Sequence, residues 1–124
     1  MAKFTKASLK DFINYRMSVL SILAQDQGFV GAFDPENGSA QVWDAGVEIQ
    51  VTYGQWGLYN AILEALYDGR IVENGRFSRS AFLLWVATRK SKLRTDFADG
   101  NDVYMHTTDG ARYELDHLND LFDV

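Results

Sequence analysis

Residues 47–53 read VEIQVTY, and residues 57–68 just after them read GLYNAILEALYD. The first run alternates. Val47, Ile49, Val51 and Tyr53 share one face at the two-residue period of a strand, and β-branched and aromatic side chains favour a pleated surface. The second run has helical spacing, with Leu58, Ile62, Ala65 and Leu66 directed inward and Gly69 as a C-terminal stop. Upstream, FVGAF (29–33) also alternates, DPENGS (34–39) is dense in turn residues, and AQVW (40–43) precedes DAG. Residues 29–53 are therefore expected to form a three-stranded antiparallel meander that leads into a helix.

Helices are expected on both sides of this segment. Leu9, Phe12, Ile13, Met17, Leu20, Leu23 and Ala24 recur at helical spacing over 8–26, with Ser8 and Asp11 as the capping pair and Gly28 as the end. RIVENGRF (70–77) carries an Asn74-Gly75 turn and suits a small hairpin. Ser78 or Ser80 caps a third helix, SAFLLWVATRKSKL, whose first half is apolar nearly all round and is expected to be core or an oligomer contact. DVYMHTT (102–108) and ARYELD (111–116) flank Asp109-Gly110 and read as a C-terminal hairpin. The expectation is an α+β fold in a single domain spanning 1–124: three helices, a small antiparallel meander and a C-terminal hairpin.

The chain has 124 residues and a net charge of −5, and the charge is sorted into blocks. Residues 17–69 hold seven acidic side chains and neither Lys nor Arg. Residues 70–94 hold seven basic side chains against one acid, Glu73. Residues 95–124 hold eight acids and one Arg, Arg112. Basic segments attract polyanions, and acidic ends compete for the same surface or recruit a partner. There is no cysteine, which excludes disulfides and thiolate metal sites and fits a reducing cytoplasm. The N-terminus lacks the apolar core of a signal peptide, and the longest apolar run, 81–87, is too short to span a membrane. A cytoplasmic protein of a bacterial host cell, without membrane contact, is expected.

No catalytic motif is present, and the chain is expected not to be an enzyme. His106 and His117 have no partner that sequence can place, and there is neither a nucleophile motif nor a phosphate-binding glycine loop. Asp96, Asp99, Gly100, Asn101 and Asp102 have the composition of a calcium loop but the wrong spacing. Asp44, Glu48 and Gln50 approach a nuclease pattern, with Gln50 where a lysine would be needed. No metal and no cofactor are expected.

The basic segment carries the functional reading. Single-stranded nucleic acid is held by cations on phosphates and by exposed rings on bases. Arg70, Arg76, Arg79, Arg89, Lys90, Lys92 and Arg94 are the candidate phosphate contacts, with Phe77 and Trp56 the first stacking candidates. A plainer account places the cations of 89–94 in the last turn of a helix, where they favour its dipole by about 0.3–1 kcal/mol. It leaves Phe82, Leu83, Leu84, Trp85 and Val86 as core.

The chain's end, ELDHLNDLFDV (114–124), resembles the acidic tip of bacterial and phage single-stranded-DNA-binding proteins. It carries Glu114, Asp116, Asp120 and Asp123 around Leu118, Leu121 and Phe122. With the basic run and the wealth of rings, the chain resembles phage-encoded single-stranded-DNA-binding proteins that act as cofactors of an RNA polymerase. That resemblance implies binding of unwound DNA and docking of a polymerase, for which Asp120, Leu121, Phe122 and Asp123 are the candidate contacts. No long linker precedes 114–124, so these residues are either an acidic tail or a final turn packed on the body. The rival reading is an acidic inhibitor or DNA mimic that acts on a host complex through 17–69, with Asp34, Glu36 and Asp44 as its contacts. A homo-oligomer is expected under either reading.

Overall fold

A computed structural model describes residues 5–31, 33, 42, 45–98 and 102–122. Among them the protein is mostly helical, with four long helices and one two-stranded antiparallel hairpin. Helix α1 spans Lys6–Asp26, α2 Val47–Tyr67, α3 Arg79–Ala98 and α4 Asp102–Phe122. Strands β1 (Val72–Glu73) and β2 (Arg76–Phe77) lie between α2 and α3. Helix α2 packs against both α1 and α4, and α4 packs also against α3.

Helix α1 starts earlier than its periodicity suggests, because its cap is Thr5 rather than Ser8. The Ser8 N–H donates to Thr5 Oγ1 at 3.1 Å, and the Thr5 N–H donates to Ser8 Oγ at 2.8 Å. This reciprocal pair satisfies two amides that the helix itself leaves unpaired. Its buried face is Leu9, Ile13, Leu20 and Ala24. At its end Phe29 N–H reaches back to the Ala24 carbonyl at 2.9 Å, which turns the chain and buries the Phe29 ring.

Residues 47–53 are helical and not a strand. The buried positions Ile49, Thr52, Trp56, Tyr59, Ile62 and Leu66 form one helical stripe that runs through the run read as alternating. Val47, which a strand would place inward with Ile49, is 53% exposed. Strand preference is worth at most about 1 kcal/mol per residue, and packing overrides it readily. Helix α2 sits between α1 and α4, so it is apolar on more than one side. Of the rest of the expected meander, 29–31 and 33 form no strand, and 34–41 lie outside the described residues.

The expected C-terminal hairpin is also helix. Asp109-Gly110 lies inside α4, and the glycine serves a close crossing instead of a turn. A Cβ on Gly110 would stand 2.1 Å from the Val51 carbonyl oxygen, and one on Gly54 would stand 1.9 Å from that of Thr107. The backbones of α2 and α4 touch at these two glycines, a packing no other residue permits. The buried face of α4 is Gly110, Ala111, Glu114, Leu115 and Leu118. The acidic end is thus helical to Phe122, with Leu115 and Leu118 in the core.

The hairpin at 72–77 forms as its turn sequence suggests. Asn74 and Gly75 have φ of 53° and 76°, and Val72 pairs with Phe77 and Glu73 with Arg76. Two positive φ values match the twist of the flanking strands. Ser78 then caps α3, its Oγ accepting from the Ala81 N–H at 3.2 Å.

Candidate nucleic-acid interface

Helix α3 buries Phe82 and Val86 and turns a second stripe outward. Ala81, Leu84, Trp85, Thr88, Arg89 and Lys92 lie on it, each three or four residues from another member of the set. With Arg70, from the turn that follows α2, they line an open groove of about 440 Å³. The groove therefore joins three cations to an indole and a 70% exposed Leu84.

The indole is held from inside. The ring of Phe82, fully buried, lies 6.4 Å from that of Trp85 at an interplanar angle of 17°. Phe77, half-buried on β2, packs on Phe82 at 5.7 Å, so the hairpin braces the same pair. The Arg89 guanidinium stands over the Trp85 ring at 5.7 Å. Arg70 pairs with Asp68 at 3.0 Å, both side chains more than half exposed. Such a pair is worth about 0–1 kcal/mol and yields readily to another anion.

Helix α3 extends to Ala98, so Arg89 and Lys92 sit more than one turn before its end. The dipole's influence is confined to the last turn, and it does not account for these two cations.

The other candidate residues fall elsewhere. Arg76 and Arg79 are exposed on β2 and the first turn of α3, outside the groove lining. Lys90 and Arg94 lie on α3, but their side chains are outside the described residues, as are those of Asp120, Leu121 and Phe122 on α4. Asp123, Asp34, Glu36 and Asp44 are outside them altogether.

Trp56 is no stacking platform. It is 7% exposed and packs with Phe33 at 5.7 Å and Tyr53 at 6.1 Å, in a cluster that fastens the segment after α1 to α2. Its burial follows from its place on the inner stripe of α2. Phe77 serves the core through Phe82. The ring that lines the groove is Trp85, which sequence reasoning assigned to the core. The signal that could have singled it out is the amphipathic stripe from Ala81 to Lys92.

A second polar cluster lies at the junction of α1, α2 and α4. Glu114 is 1% exposed and accepts from Tyr59 Oη at 2.5 Å, Gln55 Nε2 at 3.0 Å and Arg16 Nη2 at 3.2 Å. Arg16 also donates to Tyr59 Oη at 3.4 Å, and its guanidinium stands 5.7 Å from that ring's centroid. Burial, together with the hydrogen bond to Glu114, pushes the Tyr59 hydroxyl well above its ordinary value. Burial works against the Arg16 charge, but Tyr59 and Glu114 more than compensate and hold its pKa up. Among the described residues every buried side-chain nitrogen or oxygen has a hydrogen-bond partner. The buried atoms of the quartet are therefore satisfied within the protein, as in a structural tie between the three helices.

His106 is half-buried and His117 exposed on α4, where His117 stacks parallel to Tyr113 at 6.4 Å. Among the described residues no three metal-binding side chains converge, and no helix is long and apolar enough to cross a membrane. No protein-family model matches the chain, and no curated protein or solved structure matches it significantly.

Proposed function

We propose that the protein is a non-enzymatic accessory factor that binds single-stranded DNA along the outer face of α3. One observation carries this reading: Arg70, Arg89 and Lys92, from two separate segments, meet around one indole in an open groove. Phosphates supply the charge that three neighbouring cations attract, and each neutralised phosphate releases counterions and makes binding salt-dependent. The acidic blocks elsewhere in the chain discourage contact outside the groove and keep the strand on this face.

A contact to a polymerase suits the outward face of α4, where Asp109, Tyr113, Asp116 and His117 are exposed. This surface is acidic and aromatic and lies on a helix well anchored to the core, so it presents a rigid patch to a basic partner.

The test is fluorescence anisotropy with a labelled oligonucleotide across a salt series, with duplex as control. Binding that favours the single strand and falls steeply with salt is expected. The double substitution Arg89→Ala with Lys92→Ala should weaken it about tenfold and reduce the logarithmic salt slope by about 1.4, at roughly 0.7 per single-strand phosphate lost. Unchanged affinity in the double variant, or no binding at low salt, removes this reading and leaves an acidic inhibitor of a host complex as its successor.

A further inference from the structure

The cations of the groove explain attraction to any polyanion, but they do not explain its apolar part. Trp85 and Leu84 occupy adjacent positions on the same stripe, and Leu84 is 70% exposed. A polyphosphate chain offers these two side chains nothing to cover them. A duplex does no better, since its bases are already stacked inside. A single strand presents phosphates and unstacked bases together, and this is the combination of chemistries the groove displays.

We infer that Trp85 is the residue through which the groove distinguishes a base-bearing single strand from other polyanions, a step that rests on the binding function proposed above. Its indole is suited to the task in two ways. The buried Phe82 ring, nearly parallel at 17°, fixes the plane of the indole from within. The Arg89 guanidinium stands over the ring at 5.7 Å. A cation over a ring that is not fully desolvated is held weakly enough to exchange. When a strand enters, a base replaces the guanidinium over Trp85, and Arg89 turns to the adjoining phosphate. Leu84, one position before Trp85, covers the edge of the incoming base.

The experiment compares two probes of equal length and charge on the full chain. One is a labelled oligothymidylate, and the other is the same backbone with abasic tetrahydrofuran units. The intact protein should bind the thymidylate at least tenfold more tightly, with the same salt slope for both. Trp85→Leu should lose that preference and bind both probes at the abasic level with the slope unchanged, and Trp85→Phe should restore most of it. Equal affinity of the intact protein for the two probes overturns the inference, and it does so without any variant that has to fold. A preference that survives in a folded Trp85→Leu protein overturns it as well. Salt-dependent binding of both probes without preference leaves the cation site standing and removes only the role of Trp85. No binding of either probe removes both.

Discussion

The seam between α2 and α4 and the outer face of α3 use similar side chains to opposite ends. At the seam an arginine, a glutamate, a tyrosine and a glutamine are joined by hydrogen bonds around the buried Glu114 carboxylate, and every buried side-chain polar atom among the described residues has a partner. The helices there approach so closely that only glycine fits at Gly54 and Gly110. Along the outer groove, Arg89, Lys92 and Trp85 of α3 and Arg70 of the turn after α2 line a cleft open to solvent, where Arg70 pairs with Asp68 and Arg89 stands over Trp85, both contacts of a weak kind. The difference teaches where each type of residue acts. A buried charge set that is complete in itself holds the fold, and an exposed set with exchangeable partners is available to a ligand.

Breaking the seam should have the largest effect. Glu114→Ala leaves Arg16, Tyr59 and Gln55 without their shared acceptor. Loss of one partner of a buried pair costs about 3–5 kcal/mol, and Arg16's partial access to water favours the lower end. Denaturant titration should show this as a drop in midpoint. Gly54→Ala forces α2 and α4 apart and should cost about 3 kcal/mol, at the upper end for overpacking. Gly57→Ala sharpens the point, because nothing lies within 4 Å of its would-be Cβ. It should stabilise α2 by up to about 1 kcal/mol through helix preference alone. If both alanines behave alike, the close crossing is not what holds the helices.

Alkaline titration probes the seam more gently. The Tyr59 hydroxyl has its pKa raised above the ordinary 10.0, so the protonated form is favoured in the folded state. Its contribution is complete below about pH 10 and is lost as pH rises from there through the raised value. Thermal unfolding followed upward from pH 9 should show a decline in melting temperature that Tyr59→Phe makes shallower. The smallest effect on stability belongs to the groove. Arg89→Ala with Lys92→Ala should shift unfolding by no more than about 0.5 kcal/mol, even as it weakens DNA binding. A large loss of stability there would make these cations part of the fold and erase the contrast between the two regions.

Much of the local structure was legible. Asn74-Gly75 marks its hairpin because two residues with positive φ suit that turn and few others, and the serines at 78 and 80 mark the start of α3, where the structure selects Ser78, whose hydroxyl accepts from the Ala81 amide. The basic residues of the groove were legible as a block of charge. The tryptophan among them was not, since an apolar run does not declare which of its rings faces inward. Arg16 and Glu114, separated by 98 residues, left no local sign of their pairing.

By itself, the sequence determined the first helix over 8–26, the turn at 74–75, a serine cap at 78 or 80 and the concentration of cations in 70–94. Each depends on neighbours within a few residues along the chain. Tertiary structure decided that 47–53 is helical, that Asp109-Gly110 continues a helix, and that Trp56 is buried while Trp85 lines a groove. Each of those outcomes depends on what another segment brings alongside: α4 against Gly54, the Val51 carbonyl against Gly110, and Phe33 over Trp56. Alternation and turn chemistry describe what a segment prefers alone. Burial against a distant partner outweighs such preferences, because they amount to about 1 kcal/mol or less per residue and an apolar side chain gains about 1.5–3 kcal/mol when it is buried.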